Sequence, residues 1–218
     1  MGASRPLRAL LAAILFCIAG VEPASAASPR REQAASAAVT VEHLVAAAIA
    51  GDHARLREIA TELKSRPRPP RGDRMLARDL NERGLALWRR HRFSEAAVYF
   101  GQAHQADASD AEIAENLGYA LLKSGRLKEA EAALLAALTL APERASAWGS
   151  LGLLRAKSGS HREGVACVLT AYRFVRDRQR TLEVYSHLAA TDEDPKVRAL
   201  LADVVKRLST RQPESKSS

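Results

Sequence analysis

The apolar positions of this chain recur with helical spacing from about residue 39 to about residue 208. Segments of helix length alternate with breaks at glycine, Ser-Gly or Asp-Pro, which are residues that typically end or begin helices. No segment alternates apolar and polar residues with the Val, Ile, Thr and Tyr content of a strand. The pattern therefore predicts an all-α fold.

The helical segments repeat with a period of 34 residues. In the segment 111–144, Gly118 falls in the first predicted helix, and Ala130 and Leu134 fall in the second. Small and large residues recur one period earlier and one period later at Gly84, Ala96, Phe100, Gly152, Gly164 and Val168. The period predicts three units in phase, at residues 77–110, 111–144 and 145–178.

Segment 111–144 resembles a unit of the tetratricopeptide repeat (TPR) family, and the units on either side resemble it less completely. The resemblance implies a TPR-type α-solenoid of stacked helical hairpins, in which each hairpin buries its apolar face only against its neighbours. Small residues would let the helix axes approach closely, and large residues would fill the space between hairpins. The resemblance also implies that the first helix of each pair lines an inner wall.

Less regular segments flank the three units. We expect a helical hairpin over 39–64, then a basic, proline-rich link over 65–73 that is too rich in proline for a helix. We expect a degenerate capping hairpin over 179–208, because Arg198 stands where the other units have a small residue. Residues 27–38 and 209–218 are expected to be disordered.

The first 26 residues have the order of a secretory signal peptide. Arg5 and Arg8 precede an apolar run of about a dozen residues, which is shorter than the roughly 20 residues that span a bilayer. Ala24-Ser25-Ala26 then supplies small residues at a cleavage site. We therefore expect cleavage near Ala26 and a periplasmic or secreted protein. Cys167 would be the one cysteine left, and its apolar neighbours predict a buried, inert thiol.

The predicted inner wall carries an apolar stripe with a basic rim, which favours capture of an apolar or acidic protein segment. The rim comprises Arg89, Lys123 and Lys157. The remaining candidate residues of this partner groove are Asn81, Leu85, Trp88, Glu115, Tyr119, Leu122 and Leu153. The alternative interpretation is that Trp88 and Tyr119 pack inside the fold, since stripes at helical spacing are often core.

These features favour a scaffold or adaptor of the bacterial cell envelope. The resemblance to the TPR family implies that such an exported protein would support assembly of a pilus, secretion or export machine. The net charge of +8 and the arginine clusters leave a second interpretation open, namely docking on an anionic membrane or envelope polymer. An accessory subunit of an envelope enzyme is a third. Export argues against a nucleic-acid partner. The scattered histidines form no metal-ligand spacing, and no catalytic motif occurs, so we expect no enzyme activity, cofactor or metal.

Overall fold

The computed structural model describes residues 29–210, with side chains from residue 40 onward; the predicted signal peptide 1–26 and the tail after residue 210 lie outside this range. Within it, a compact unit begins at Ser36. The described residues form ten α-helices and no strand, which confirms the all-α prediction. The helices are α1 (Pro29–Ala50), α2 (His53–Ser65), α3 (Arg74–Trp88), α4 (Phe93–Ala106), α5 (Ala111–Lys123), α6 (Leu127–Leu140), α7 (Ala145–Lys157), α8 (His161–Phe174), α9 (Arg178–Thr191) and α10 (Pro195–Ser209).

Three successive hairpins follow the 34-residue period. Helix α3 pairs with α4, α5 with α6, and α7 with α8, while α4 packs on α5 and α6 packs on α7. The turns of the second and third hairpins use Gly125 and Gly159 at positive φ, and the first hairpin places His91 there, at a φ of 57°. A non-glycine residue therefore adopts the left-handed conformation where the sequence lacks the turn glycine.

In each hairpin, the two helices make a close contact at a glycine of the first helix. A Cβ atom at Gly118 would lie 2.7 Å from Leu134 Cγ, and one at Gly84 would lie 2.6 Å from the Phe100 ring. At Gly152 a Cβ atom would meet both the Val168 side chain, at 2.5 Å, and the Gly164 carbonyl oxygen, at 2.9 Å. The pairing of small and large residues along the repeat is thus a steric requirement, tightest where backbone faces backbone.

The stack of hairpins begins at α3. Asp79 and Ala86 of α3 have equivalent positions one period later on α5 and two periods later on α7. The equivalent positions on α5 and α7 are all buried. On α3 itself, Asp79 and Ala86 are exposed, and Asp79 forms an ion pair with Arg83 at 2.8 Å. A polar, solvated face at this edge is what the first unit of a stack requires.

The N-terminal hairpin of α1 and α2 packs alongside the stack. Helix α2 contacts α6, and Lys64 pairs with Glu143 at 2.6 Å. Helix α1 begins at Pro29, although disorder was expected up to residue 38. The residues from 29 to 38 are mostly Ala, Glu, Gln and Arg, which are strong helix formers. The link ends where the Asp73 amide donates to the Ala106 carbonyl at 2.9 Å, which fixes the start of α3 against the end of α4.

The C-terminal end differs from a fourth repeat. Helix α10 packs on both α7 and α8, and its stripe Val197, Leu200, Leu201 and Val204 is buried at helical spacing. Helix α9 has no buried residue and packs on α10. The second helix of this hairpin therefore closes the stack. Arg198 donates to the Asp192 carbonyl at 2.7 Å and so ties the α9–α10 turn to α10.

Two unusual side chains lie close together inside the third unit. Arg155, which stands where the other units have leucine, pairs with Glu131 of the preceding unit and with Glu163 of its own. The free Cys167 thiol is fully buried, as predicted, and this burial raises its pKa to about 12. The thiolate is therefore strongly disfavoured in the folded protein.

The glycine contact in the third hairpin predicts opposite effects for two substitutions on one helix. Gly152→Ala should lower the free energy of unfolding by about 1–3 kcal/mol, because the added methyl group meets backbone as well as Val168. Gly149→Ala is the matched control on α7, since nothing lies within 4 Å of its Cβ position. It should leave stability unchanged or raise it by about 0.5–1 kcal/mol. Urea denaturation measures both; equal effects would contradict the steric account.

Candidate functional site

The exposed part of the inner wall centres on two aromatic rings. Trp88, at the end of α3, is 38% exposed. Its ring lies 6.2 Å from that of Tyr119 on α5, at an interplanar angle of 52°. Leu85, one turn before Trp88, is half-buried and packs against the core. The first helices of the first two units therefore place Trp88 and Tyr119 side by side on the inner wall, although the two residues are not equivalent positions of the repeat.

Positive charge borders this surface on one side. Arg89 and Lys123 are both exposed. The Lys123 ammonium lies 5.6 Å from the centroid of the Phe93 ring, which in turn makes an edge contact with His91. An ammonium held over an aromatic face keeps its charge near the apolar surface.

Two polar contacts lie on the inner wall, one between neighbouring units and one between the start and the end of the second unit. The Asn116 amide donates to the Asn81 side-chain oxygen at 3.0 Å. Glu115 pairs with Arg144, which also lies 3.7 Å from Glu112. The predicted acid Glu115 is thus neutralised within the protein. Neither Asn116 nor Arg144 was in the predicted set, and no sequence signal connected Arg144 to a residue 29 positions earlier.

Leu122 is a correction to the predicted set. Its side chain is only 2% exposed and belongs to the main core. Helix α5 packs against α4, α6 and α7, so its buried arc is wider than a single stripe. The prediction from helical spacing, that Leu122 lies on the open wall, is therefore wrong, because this side chain belongs to the core.

The third unit contributes less to the open wall than predicted. Leu153 is half-buried against the cluster that contains α10, and Lys157 pairs with Asp194 of the α9–α10 turn. Lys196 also donates to the Lys157 carbonyl at 2.9 Å. The hydrogen bond from Lys157 holds the pKa of Asp194 below its usual range. The predicted rim charge at Lys157 is therefore already matched by the chain itself.

The acidic α9–α10 turn lies near the aromatic surface. Burial raises the pKa of Tyr119, and the negative charge of Asp192 raises it further. This turn, with Asp192, Glu193 and Asp194, borders the wall on the side of the third unit. What stays accessible is a smaller region on α3 and α5, here called the inner-wall site: Leu85, Trp88, Arg89, Tyr119 and Lys123.

The side chains of the inner-wall site are suited to non-covalent binding of a ligand. Trp88 and Tyr119 supply rigid apolar area, and Arg89 and Lys123 supply charge at its edge. Within residues 29–210, no group of three or more His, Cys, Asp or Glu side chains is placed to hold a metal ion.

A family model described as a tetratricopeptide repeat matches residues 87–154, from the end of α3 into α7. No curated protein matches the chain.

Several solved structures are similar in fold at low sequence identity. The first TPR of Spaghetti (RPAP3), bound to an HSP90 peptide, is 15% identical with a TM-score of 0.48, covering 65% of this chain and 99% of that one. The Yersinia enterocolitica type III secretion chaperone SycD, with a YopD peptide, is 12% identical with a TM-score of 0.48, covering 62% and 94%. The Sgt2 TPR domain of Aspergillus fumigatus is 16% identical with a TM-score of 0.47, covering 70% and 95%.

The two tryptophans should differ in solvent access. Trp148 is fully buried and its Nε1 donates to the Pro142 carbonyl at 2.8 Å, while Trp88 is 38% exposed. In a Trp148→Phe variant, the remaining emission should be strongly quenched by acrylamide. In a Trp88→Phe variant it should be quenched weakly. Circular dichroism checks that both variants are folded. Equally weak quenching in the two variants would show that Trp88 packs inside the fold and does not form part of a surface.

Proposed function

The chain is a tetratricopeptide-repeat protein over residues 87–154, and from that premise we propose that it holds a segment of a partner protein on the inner-wall site. The observation that carries the proposal is the exposed Trp88 ring beside Tyr119. A tryptophan left 38% exposed next to a second aromatic ring is typical of residues that contribute most to protein binding.

The chemistry of the site favours a particular kind of segment. The aromatic surface suits an apolar side chain, and Arg89 with Lys123 suits a carboxylate beside it. Glu115 does not oppose an acidic ligand, because Arg144 already neutralises it. The proposed partner segment is therefore apolar at its centre and acidic at its edge.

The length of the site limits the segment. Because Lys157 is paired with Asp194 and Leu153 packs beside α10, the accessible wall extends over the first two units only. Successive first helices pack about 10 Å apart, so two of them span roughly three to six extended residues. The protein would thus recognise a short motif.

We further propose that the protein works in the bacterial cell envelope after removal of residues 1–26, as a scaffold for assembly of a pilus, secretion or export machine. The basic start, short apolar run and small residues at 24–26 support export. None of the helices in the described part of the chain has the length and apolar character needed to cross a membrane.

Site-specific photocrosslinking tests the inner-wall site. A photoreactive benzoylphenylalanine at Lys123, at the rim, should give a discrete crosslinked product with the partner in cells. The same group at Lys128, exposed on the second helix of the same hairpin, is the matched control and should give none. Adding Trp88→Ala to the Lys123 variant should remove the product, because the aromatic anchor is lost. Equal products from positions 123 and 128, or a product unaffected by Trp88→Ala, would refute the proposed site.

Amino-terminal sequencing tests the proposed compartment. The protein recovered from the periplasmic fraction should begin at Ala27, and Ala26→Leu should leave the longer precursor in the membrane or cytoplasmic fraction. Ala27→Leu is the matched control, and it should be exported because it leaves the small residues at 24 and 26 in place. Recovery of a protein that begins at Met1 from the cytoplasm alone would contradict export.

A further inference from the structure

A second concave surface lies at the other end of the stack. It is a cleft of about 400 Å³ between the first turn of α7, the α8–α9 connection and the first two turns of α9. Ala145, Phe174, Val175 and Val184 give it an apolar lining, and Arg176 and Arg180 stand beside them. We call it the α8–α9 cleft. It shares no residue with the inner-wall site.

The cleft exists because the C-terminal hairpin is closed by its second helix. Helix α10 packs on α7 and α8, and α9 packs on α10 with residues that are at most partly buried. The apolar residues near the start of α9 are therefore left partly uncovered, with Val184 48% exposed. Exposed apolar area beside polar residues is typical of interaction sites.

The charge around the cleft is strongly positive. Residues 173–180 contain four arginines, Arg173, Arg176, Arg178 and Arg180, against the single acid Asp177. The Asp177 carboxylate accepts from the Arg180 amide at 2.9 Å and so caps α9. Among the described residues, none of these four guanidinium groups forms an ion pair with a carboxylate within 4.0 Å. By contrast, arginines elsewhere, such as Arg144 and Arg155, are paired.

We propose that the α8–α9 cleft is a second docking site, which binds an acidic protein segment through one apolar side chain flanked by carboxylates. The apolar lining would receive the side chain, and Arg176 and Arg180 would pair with the carboxylates on either side. Charge complementarity argues for an acidic occupant, and the apolar lining of the open cleft suits one apolar side chain at the centre of that segment.

This docking site extends the proposed function without resting on it. The inner-wall site lies on α3 and α5, and the α8–α9 cleft lies on α7, α8 and α9, so neither depends on the other for its residues. A chain with both sites could hold two segments at once, from one partner or from two. Two weak sites on one rigid stack increase the overall affinity for a bivalent partner.

A designed peptide tests the cleft. The probe is the fluorescein-labelled hexapeptide Glu-Glu-Leu-Phe-Glu-Glu, titrated with the purified protein by fluorescence anisotropy. Arg176→Glu together with Arg180→Glu should weaken binding at least about tenfold, because two attractive contacts become repulsive. Arg57→Glu together with Arg162→Glu is the matched control, with the same change in net charge at exposed positions outside the cleft lining and outside residues 173–180. It should change the Kd by less than about twofold.

Further variants test the apolar contact in the α8–α9 cleft and distinguish this cleft from the inner-wall site. Val184→Ser should weaken binding of the peptide several-fold, and it should do so equally in a Trp88→Ala background, in which the inner-wall site no longer contributes to binding. Equal weakening by the two arginine pairs would overturn the proposal, since only overall charge would matter. Loss of binding in Trp88→Ala with none in the cleft variants would also overturn it, as would no detectable binding at millimolar protein.

An anionic membrane is the competing occupant, and vesicles test it. If the Arg176→Glu, Arg180→Glu variant loses binding to phosphatidylglycerol vesicles but keeps its affinity for the peptide, the arginines serve a lipid surface and the proposal fails. If the peptide is lost and vesicle binding changes no more than in the control pair, the segment-binding proposal is supported.

Discussion

The structure depends on how closely the two helices of each hairpin approach one another. Gly84, Gly118 and Gly152 lie directly under Phe100, Leu134 and Val168, with no room for a methyl group. This contact fixes the geometry of each hairpin, and the apolar face that results can be buried only by the next hairpin. Stacking then orders α3, α5 and α7 side by side, which brings Trp88 and Tyr119 together although they are 31 residues apart.

The two ends of the stack determine where ligands can bind. At the start, α3 carries exposed Asp79 and Arg83, so the stack ends in solvent and Trp88 stays open. At the other end, α10 packs on α7 and α8, and Asp194 in the turn before α10 pairs with Lys157. The same arrangement leaves the beginning of α9 uncovered, which creates the α8–α9 cleft. A single local departure from the repeat thus narrows one surface and opens another.

The period and the helical fold were predictable because each repeat position has a fixed steric role. Predictions for single side chains were less reliable where several helices meet. Leu122 has the spacing of a wall residue but is buried, because α5 has three neighbours. The Arg144–Glu115 pair and the Lys157–Asp194 pair each join residues about 30 or more positions apart in the sequence, and no local pattern encodes them. In the C-terminal hairpin the second helix closes the stack, because α10 carries a buried apolar stripe and α9 has no buried residue.

Helix α10, and not α9, closes the stack, and this packing both limits the inner-wall site and leaves the α8–α9 cleft uncovered. Amide hydrogen exchange of the intact protein tests this directly. Amides from Val197 to Val204 should exchange as slowly as those of α5 to α8, because they lie in the buried part of α10. Amides of α9 should exchange at least about a hundredfold faster. Equal protection of α9 and α10, or slower exchange in α9, would contradict the account.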